Sequence, residues 1–302
     1  MSQKYTSLPV KRQHNLGIRE SSILAKLGLR TLKIGYRLWM LIVWFCRRPF
    51  TSIRYVIQLP ELLRADSFAK NWTNSSTYQP QSGKSVVSRN PLVEYVEYYD
   101  EGPGIFKWNH YLDIYHQYLQ KFIDRNVSIL EVGVYSGGSL KMWRNYLGDG
   151  CTVYGVDILE DCKKFENEYT KIFIGDQGDE ELWNRIRSES SCIDILIDDG
   201  SHHSDDQIVT FEKAFSFLSP GGVFICEDIH GKGHLFLAYL QGLLRNLHIS
   251  AVGGAISGIE TSPMQAWMKA IHFYPYMVVI EKSEHPNELL ISQKKGSEWV
   301  ER

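Results

Sequence analysis

The stretch Ser128–Asp157, S-I-L-E-V-G-V-Y-S-G-G-S-L-K-M-W-R-N-Y-L-G-D-G-C-T-V-Y-G-V-D, decides the fold. Ile129, Leu130 and Val132 form a short apolar run, as a parallel strand does when both its faces are covered. Gly133, Gly137 and Gly138 follow, where the chain can bend sharply and let a ligand approach its backbone. Residues 139–146 have helical spacing and stop at Gly148. Residues 152–156 read as a second strand, which delivers Asp157 at its C-terminal end. In an open α/β sheet, ligands sit beyond the carboxyl ends of the strands, where the strand order reverses. A glycine turn after one strand and an acid after the next therefore describe a nucleoside pocket. The dinucleotide fingerprint fails, because Tyr135 stands where G-x-G needs its second glycine. Taken alone, the stretch also reads as an ordinary βαβ unit with glycine in its loop.

Downstream, the alternation continues. A charged helix over 160–169 leads to a strand at 171–174 ending in Gly175-Asp176-Gln177. A helix at 179–189 precedes a strand at 193–197 that runs into Asp198-Asp199-Gly200-Ser201-His202-His203. A helix at 207–218 and a Ser219-Pro220-Gly221-Gly222 turn precede a strand at 223–226 ending in Glu227-Asp228-Ile229-His230. A helix at 235–247, a glycine-rich loop at 251–262 and two apolar runs joined by a tight proline turn at 270–281 complete the pattern. Five βα units closed by a hairpin predict an α/β fold: a doubly wound, mostly parallel, seven-stranded sheet. Upstream, 104–122 reads as an aromatic-rich helix whose Tyr111, Leu112, Tyr115, Tyr118, Leu119 and Phe122 have core spacing. Lys107 and His110 at its start are the members to suspect of function.

Each strand after the first ends in carboxylate: Asp157, Asp176, Asp198/Asp199 and Glu227/Asp228. A lone Asp is explained as a helix N-cap, which covers Asp176 and Asp206. D-D-G-S-H-H and E-D-I-H are explained less well. Two acid pairs on neighbouring strands repel or take up protons unless they are neutralised. A divalent cation removes the difficulty, and carboxylates with water suit Mg²⁺. Successive side chains on a strand point opposite ways, so one member of 198/199 faces the cofactor and the other the metal. His202, three residues beyond Asp199, is placed to take a proton from a metal-bound hydroxyl. His203 reads as structural or surface.

E-V-G-V-Y-S-G-G resembles the first motif of class I S-adenosylmethionine (SAM) methyltransferases. With G-V-D-I, G-D-Q, I-D-D-G-S-H-H and G-G-V-F-I-C-E-D-I-H in this order, the chain resembles the metal-dependent sugar O-methyltransferases of macrolide biosynthesis. It is also similar to the related group named after cephalosporin hydroxylase. K-W-N-H-Y and H-F-Y-P-Y-M-V-V-I-E-K resemble that group's flanking segments, so the resemblance spans residues 104–282. It implies Mg²⁺-dependent methyl transfer from SAM to a hydroxyl of a sugar, glycoside or related small molecule. Asp199, Glu227 and Asp228 would be the metal ligands and His202 the general base. Glu131, Gly133, Tyr135, Gly137, Ser139, Asp157, Asp176, Gln177 and Asp198 would line the SAM site, with Asp157 on the ribose hydroxyls. Two alternatives are weighed beside it. One is an Fe(II)-dependent hydroxylase using His202, Asp199 and His230. The other is a catalytically inactive SAM-fold partner protein.

The overall charge of −2 in 302 residues hides an asymmetry. Residues 1–60 carry eleven Lys/Arg against one acid, Glu20, a net +10 that leaves −12 for the remainder. Residues 21–46 read as a helix with Lys26, Arg30, Lys33 and Arg37 along one face, followed by the apolar run Leu38–Cys46. Nine apolar residues cannot span a bilayer, which needs about 20. The helix either lies on an anionic membrane surface through residues 21–58 or packs on protein. Five scattered cysteines without a C-x-x-C point to a reducing compartment and away from a zinc cluster. The expected organisation is a basic helical extension at 1–70, a polar linker at 71–91, a methyltransferase domain at 92–290 and a polar tail at 291–302. The expected location is the cytoplasm, including the membrane periphery. Nucleic acid is not an expected partner, and self-association is left open.

Overall fold

The computed structural model describes residues 90–302 except 191, 232–233, 249–257, 299 and 301–302, together with 60, 63–65 and 67–71. The chain divides into two units, Met1–Gly83 and Lys84–Arg302. In the first, the described residues are helical and exposed. The basic helix of 21–46, the membrane-facing segment 21–58, Cys46, most of the linker and most of the glycine-rich loop at 251–262 lie outside the described residues. Among those described, no helix is long and apolar enough to cross a membrane.

The second unit opens with α1 (Pro91–Glu97) and α2 (Asn109–Leu119), the latter continued by a 3-10 turn, Gln120–Phe122. Then come β1 (Ser128–Val132), α3 (Gly138–Leu147), β2 (Thr152–Asp157), a 3-10 turn at Glu160–Phe165, β3 (Thr170–Ile174), α4 (Glu180–Glu189) and β4 (Ile193–Asp198). These are followed by α5 (Ser204–Phe215), β5 (Leu218–Cys226), α6 (Leu235–Leu247), β6 (Ile259–Glu260) and α7 (Pro263–Trp267). The unit closes with β7 (Met268–Tyr274), β8 (Met277–Lys282) and β9 (Leu289–Leu290). Seven strands form one sheet in the order β3-β2-β1-β4-β5-β8-β7, and β6 pairs with β9 separately. β1 to β5 are mutually parallel; β8 runs antiparallel to both β5 and β7. This is the doubly wound, seven-stranded sheet expected.

Alternation along β1 explains the layers. Ile129 joins the cluster beneath α2 and α3, whereas Leu130 and Val132 join the cluster beneath α4, α5 and α6. Both sheet faces are covered, so the central strands are apolar throughout. Three local readings are corrected. The helix expected at 104–122 begins only at Asn109, and 104–108 is irregular. The charged helix expected at 160–169 is a 3-10 turn, because only Cys162 and Phe165 give it an apolar anchor. The Ser219–Gly222 turn is absorbed into β5, where the register against β4 shifts. Cys192, just before β4, is exposed.

The strand order reverses between β1 and β4, and there the two loops are locked together. Asp199 N donates to Val132 O at 2.9 Å across this point, while Gly133 N donates to Val156 O of β2 at 2.8 Å. Gly133 has φ +97°, and a Cβ there would overlap the Asp199 carbonyl oxygen. Gly133→Ala should therefore lose more than about 1 kcal/mol of stability, read as a lower urea midpoint at unchanged slope; an unchanged midpoint refutes this packing.

Candidate functional site

The backbone ladder runs past the strand ends and carries the acids with it. Glu227 N donates to Asp198 O at 2.9 Å, extending the β4–β5 pairing onto Asp199 and Glu227. At their centre lies Lys107, from the irregular segment before α2, with its side chain only 5% exposed. Its Nζ is 2.6 Å from Asp199 Oδ2 and 3.2 Å from both Glu131 Oε1 and Glu227 Oε2. Burial alone would lower the Lys107 pKa, but the carboxylates of Glu227, Glu131 and Asp199 outweigh it and hold the group well above the ordinary lysine value. Burial raises Glu227 well above the usual carboxylate range and raises Glu131 too, against the pull of Lys107. One ammonium faces three carboxylates and does not neutralise them.

Helix α2 supplies the other partners. Tyr111 and Tyr115 are four residues apart on one helical face. Tyr115 OH donates to Glu227 Oε1 at 2.5 Å and Tyr111 OH to Asp228 Oδ1 at 2.9 Å. Trp108 Nε1 also donates to Asp228 Oδ1, at 3.1 Å. Glu227 turns inward and Asp228 outward, as adjacent residues on an extended chain do.

Asp199, His202 and Asp228 converge, each offering a ligand atom within 4.8 Å of the others. His202 Nε2 lies 4.0 Å from Asp199 Oδ1 and 3.8 Å from Asp228 Oδ2, beyond hydrogen-bond length. Its Nδ1 is buried with no partner among the described residues. Two carboxylates beside an underused imidazole suit a hard divalent cation, completed by water. Glu227, expected beside them, has its carboxylate 1% exposed and facing Lys107 and Tyr115. It remains linked to the group through Asp199, whose Oδ2 meets Lys107 while Oδ1 faces His202. His230 belongs to no such group among the described residues, which leaves the Fe(II) alternative without its third ligand.

The residues expected at the cofactor separate into two sets. Glu131, fully buried, accepts from Ser139 Oγ at 2.6 Å and ties the glycine turn to Lys107. Gly137 is left-handed at φ +75° and begins α3. Asp157 accepts from Tyr135 N at 2.8 Å and Leu159 N at 2.9 Å, so its carboxylate stays fixed beside the turn. Tyr135 is exposed at the mouth, and Asp176 is exposed with Oδ1 accepting from Gly178 N. Asp198 and Gln177, also expected there, are both buried and bonded to each other at 3.0 Å. Gln177 also donates to Thr210 and accepts from Ser201 N, so its side chain is fully engaged. Burial raises Asp198 to about 7. These two residues brace the β4 loop, and the second Asp198 oxygen, Oδ2, is buried with no partner among the described residues. The residues missed from sequence are Trp108 and the hydroxyls of Tyr111 and Tyr115. The available signal was tyrosine, not phenylalanine, at buried helical positions, since a buried phenol requires a partner.

The match to known proteins follows this geometry. Residues 104–251 match the FtsJ-like methyltransferase family. This segment is an FtsJ-like methyltransferase domain. Among curated relatives, the 8-demethyl-8-alpha-L-rhamnosyl tetracenomycin-C 2'-O-methyltransferase of Streptomyces olivaceus is 30% identical over 200 residues, 59% of this chain and 52% of that protein. The mycinamicin VI 2''-O-methyltransferase of Micromonospora griseorubida is 32% identical over 133 residues, 42% of this chain and 32% of that one. The methyltransferase domain thus lies in a chain spanning about half, or less, of the length of these relatives. Among solved structures, the MycE methyltransferase from the mycinamycin pathway, in complex with Mg, SAH and mycinamycin VI, superposes with TM-score 0.53 at 24% identity. That superposition covers 64% of this chain and 53% of MycE, and it supports the methyltransferase sheet order.

Proposed function

We propose that the chain is a SAM-dependent O-methyltransferase that modifies a hydroxyl of a sugar or glycoside with the help of a divalent cation. The observation that carries this reading is the convergence of Asp199, His202 and Asp228 within 4.8 Å, next to the glycine turn of a methyltransferase sheet. The names of the curated relatives supply the acceptor class.

When bound, SAM supplies an electrophilic methyl group, and a divalent cation lowers the pKa of the hydroxyl. Asp199 and Asp228 would hold the cation. Glu131, Gly133, Tyr135, Gly137, Ser139 and Asp157 would form the cofactor's side of the cleft. Asp157 retains lone pairs beyond the two used by backbone N–H groups, so it can also accept from ribose hydroxyls. His202 Nε2 has no hydrogen bond of normal length to its carboxylate neighbours and would receive the acceptor's proton.

The test is methyl transfer from SAM to a panel of glycosides, followed by mass spectrometry with Mg²⁺ and with EDTA. Transfer is expected with Mg²⁺ and lost with EDTA. His202→Ala should lower kcat by about 10²–10⁴-fold, with Mn²⁺ affinity kept within a few fold. A variant that loses Mn²⁺ instead makes His202 a ligand and removes it as the base. Undiminished transfer in EDTA overturns the metal scheme.

A further inference from the structure

Among the described residues, five that are not glycine have left-handed backbone: Asp124, Tyr135, His202, Asp228 and Tyr276. All but Asp124 lie on loops at one rim of the sheet. Tyr276 belongs there because β7 runs parallel to β5, so the β7–β8 turn emerges beside Asp228. A left-handed tyrosine is a costly choice for a turn, and such conformations persist where surrounding contacts impose them. Here the contacts are specific. Tyr276 O accepts from Ile229 N at 2.9 Å and lies 3.2 Å from the Tyr111 hydroxyl oxygen. His110 Nε2 bonds Pro275 O at 3.0 Å.

What this bracing holds is a set of exposed rings. Trp108 is 51% and Tyr276 46% exposed, with centroids 5.9 Å apart and planes at 54°. His230, also exposed, stands edge-on to Tyr276 at 5.8 Å. The rings come from three separate segments, so no single helix face or strand produces the patch. Trp108 is fixed by its bond to Asp228 Oδ1, and the other oxygen of that carboxylate faces His202. The rings and the imidazole are thus two sides of one acid.

We propose that Trp108 and Tyr276, flanked by His230, form the platform on which the sugar ring of the acceptor stacks, with a hydroxyl directed to the space between Asp228 and His202. The inference rests on the O-methyltransferase reading and adds where the acceptor lies. Sugar C–H groups carry partial positive charge and pack on the electron-rich face of an aromatic ring. Exposed aromatics beside fixed polar groups are the usual composition of a small-molecule site. A sugar ring is the occupant that fits, because its apolar face needs the rings while its hydroxyls need the acid and the imidazole.

The experiment is saturation-transfer NMR on the full chain with SAH and Mg²⁺, using methyl α-L-rhamnopyranoside and methyl β-D-glucopyranoside as probes. The wild-type protein should saturate the ring C–H protons of at least one glycoside. Tyr276→Asn removes the ring while keeping a residue that tolerates the left-handed backbone; Trp108→Ala removes the indole. Each should weaken glycoside binding about tenfold, whereas Trp108→Phe should recover most of it. SAH affinity is measured alongside by calorimetry. Two results overturn the platform: variants that bind both glycosides as the wild type does, or a wild type that binds SAH yet neither glycoside. A wild type that saturates the glycoside without binding SAH upholds the sugar site and removes the methyltransferase reading instead.

Discussion

Lys107→Met is expected to destabilise the protein by about 3–5 kcal/mol. The substitution keeps the volume of the stem and removes the one ammonium that touches Glu131, Asp199 and Glu227. Each of these acids has another donor or partial exposure, but two are 1% exposed or less and cannot rehydrate. The loss should depend on pH with a definite sign. Glu131 and Glu227 already have raised pKa values through burial, and removing Lys107 raises them further. A carboxyl whose folded pKa lies above its unfolded value stabilises the fold below the unfolded pKa and loses that contribution as pH rises. The deficit of Lys107→Met relative to wild type should therefore be widest near pH 8 and shrink toward pH 5. Urea melts in EDTA at both values measure it. Equal deficits at both, or none, mean that the ammonium does not hold the cluster together. Lys107→Arg keeps the charge but not the fit, and should fall between.

Asp199→Ala should separate function from stability. Mn²⁺ affinity by calorimetry and turnover should each fall by more than about 100-fold. The fold should hold, because the change relieves Lys107 of one of three competing acids and lets it serve Glu131 and Glu227 alone. The deleted carboxylate is the one that faces both ways, with Oδ2 on Lys107 at 2.6 Å and Oδ1 toward His202 at 4.0 Å. A variant that keeps Mn²⁺ binding refutes Asp199 as a ligand. One that unfolds instead assigns the residue to structure.

The sheet and its loaded rim were legible because their signals are local. The glycine turn after Val132 and the acids after β4 and β5 are written in consecutive residues, and strand polarity puts them on one edge. Asp199, Asp228 and His202 could be grouped on that basis alone. Glu227 could not be told from Asp228, since which of two neighbours turns inward depends on what waits there. What waits is Lys107 and Tyr115, 120 and 112 residues away. The same distance hid the role of Lys107, whose ammonium lies between Glu131, Asp199 and Glu227. The bonding of Gln177 and Asp198 was hidden for a related reason. Gln177 bonds Asp198 Oδ1, Thr210 and Ser201, contacts that strand-end position alone does not reveal.

Lys107 also bears on how the protein acquires its activity. Its partners stand 24, 92 and 120 residues along the chain. Loops of that length close late, since their entropy must be met before any contact rewards it. β1 and β4 become neighbours only after β2 and β3 have been laid down beside them in the chain. The cluster of ammonium and acids is therefore complete only once β5 has delivered Glu227, the most distant of its members.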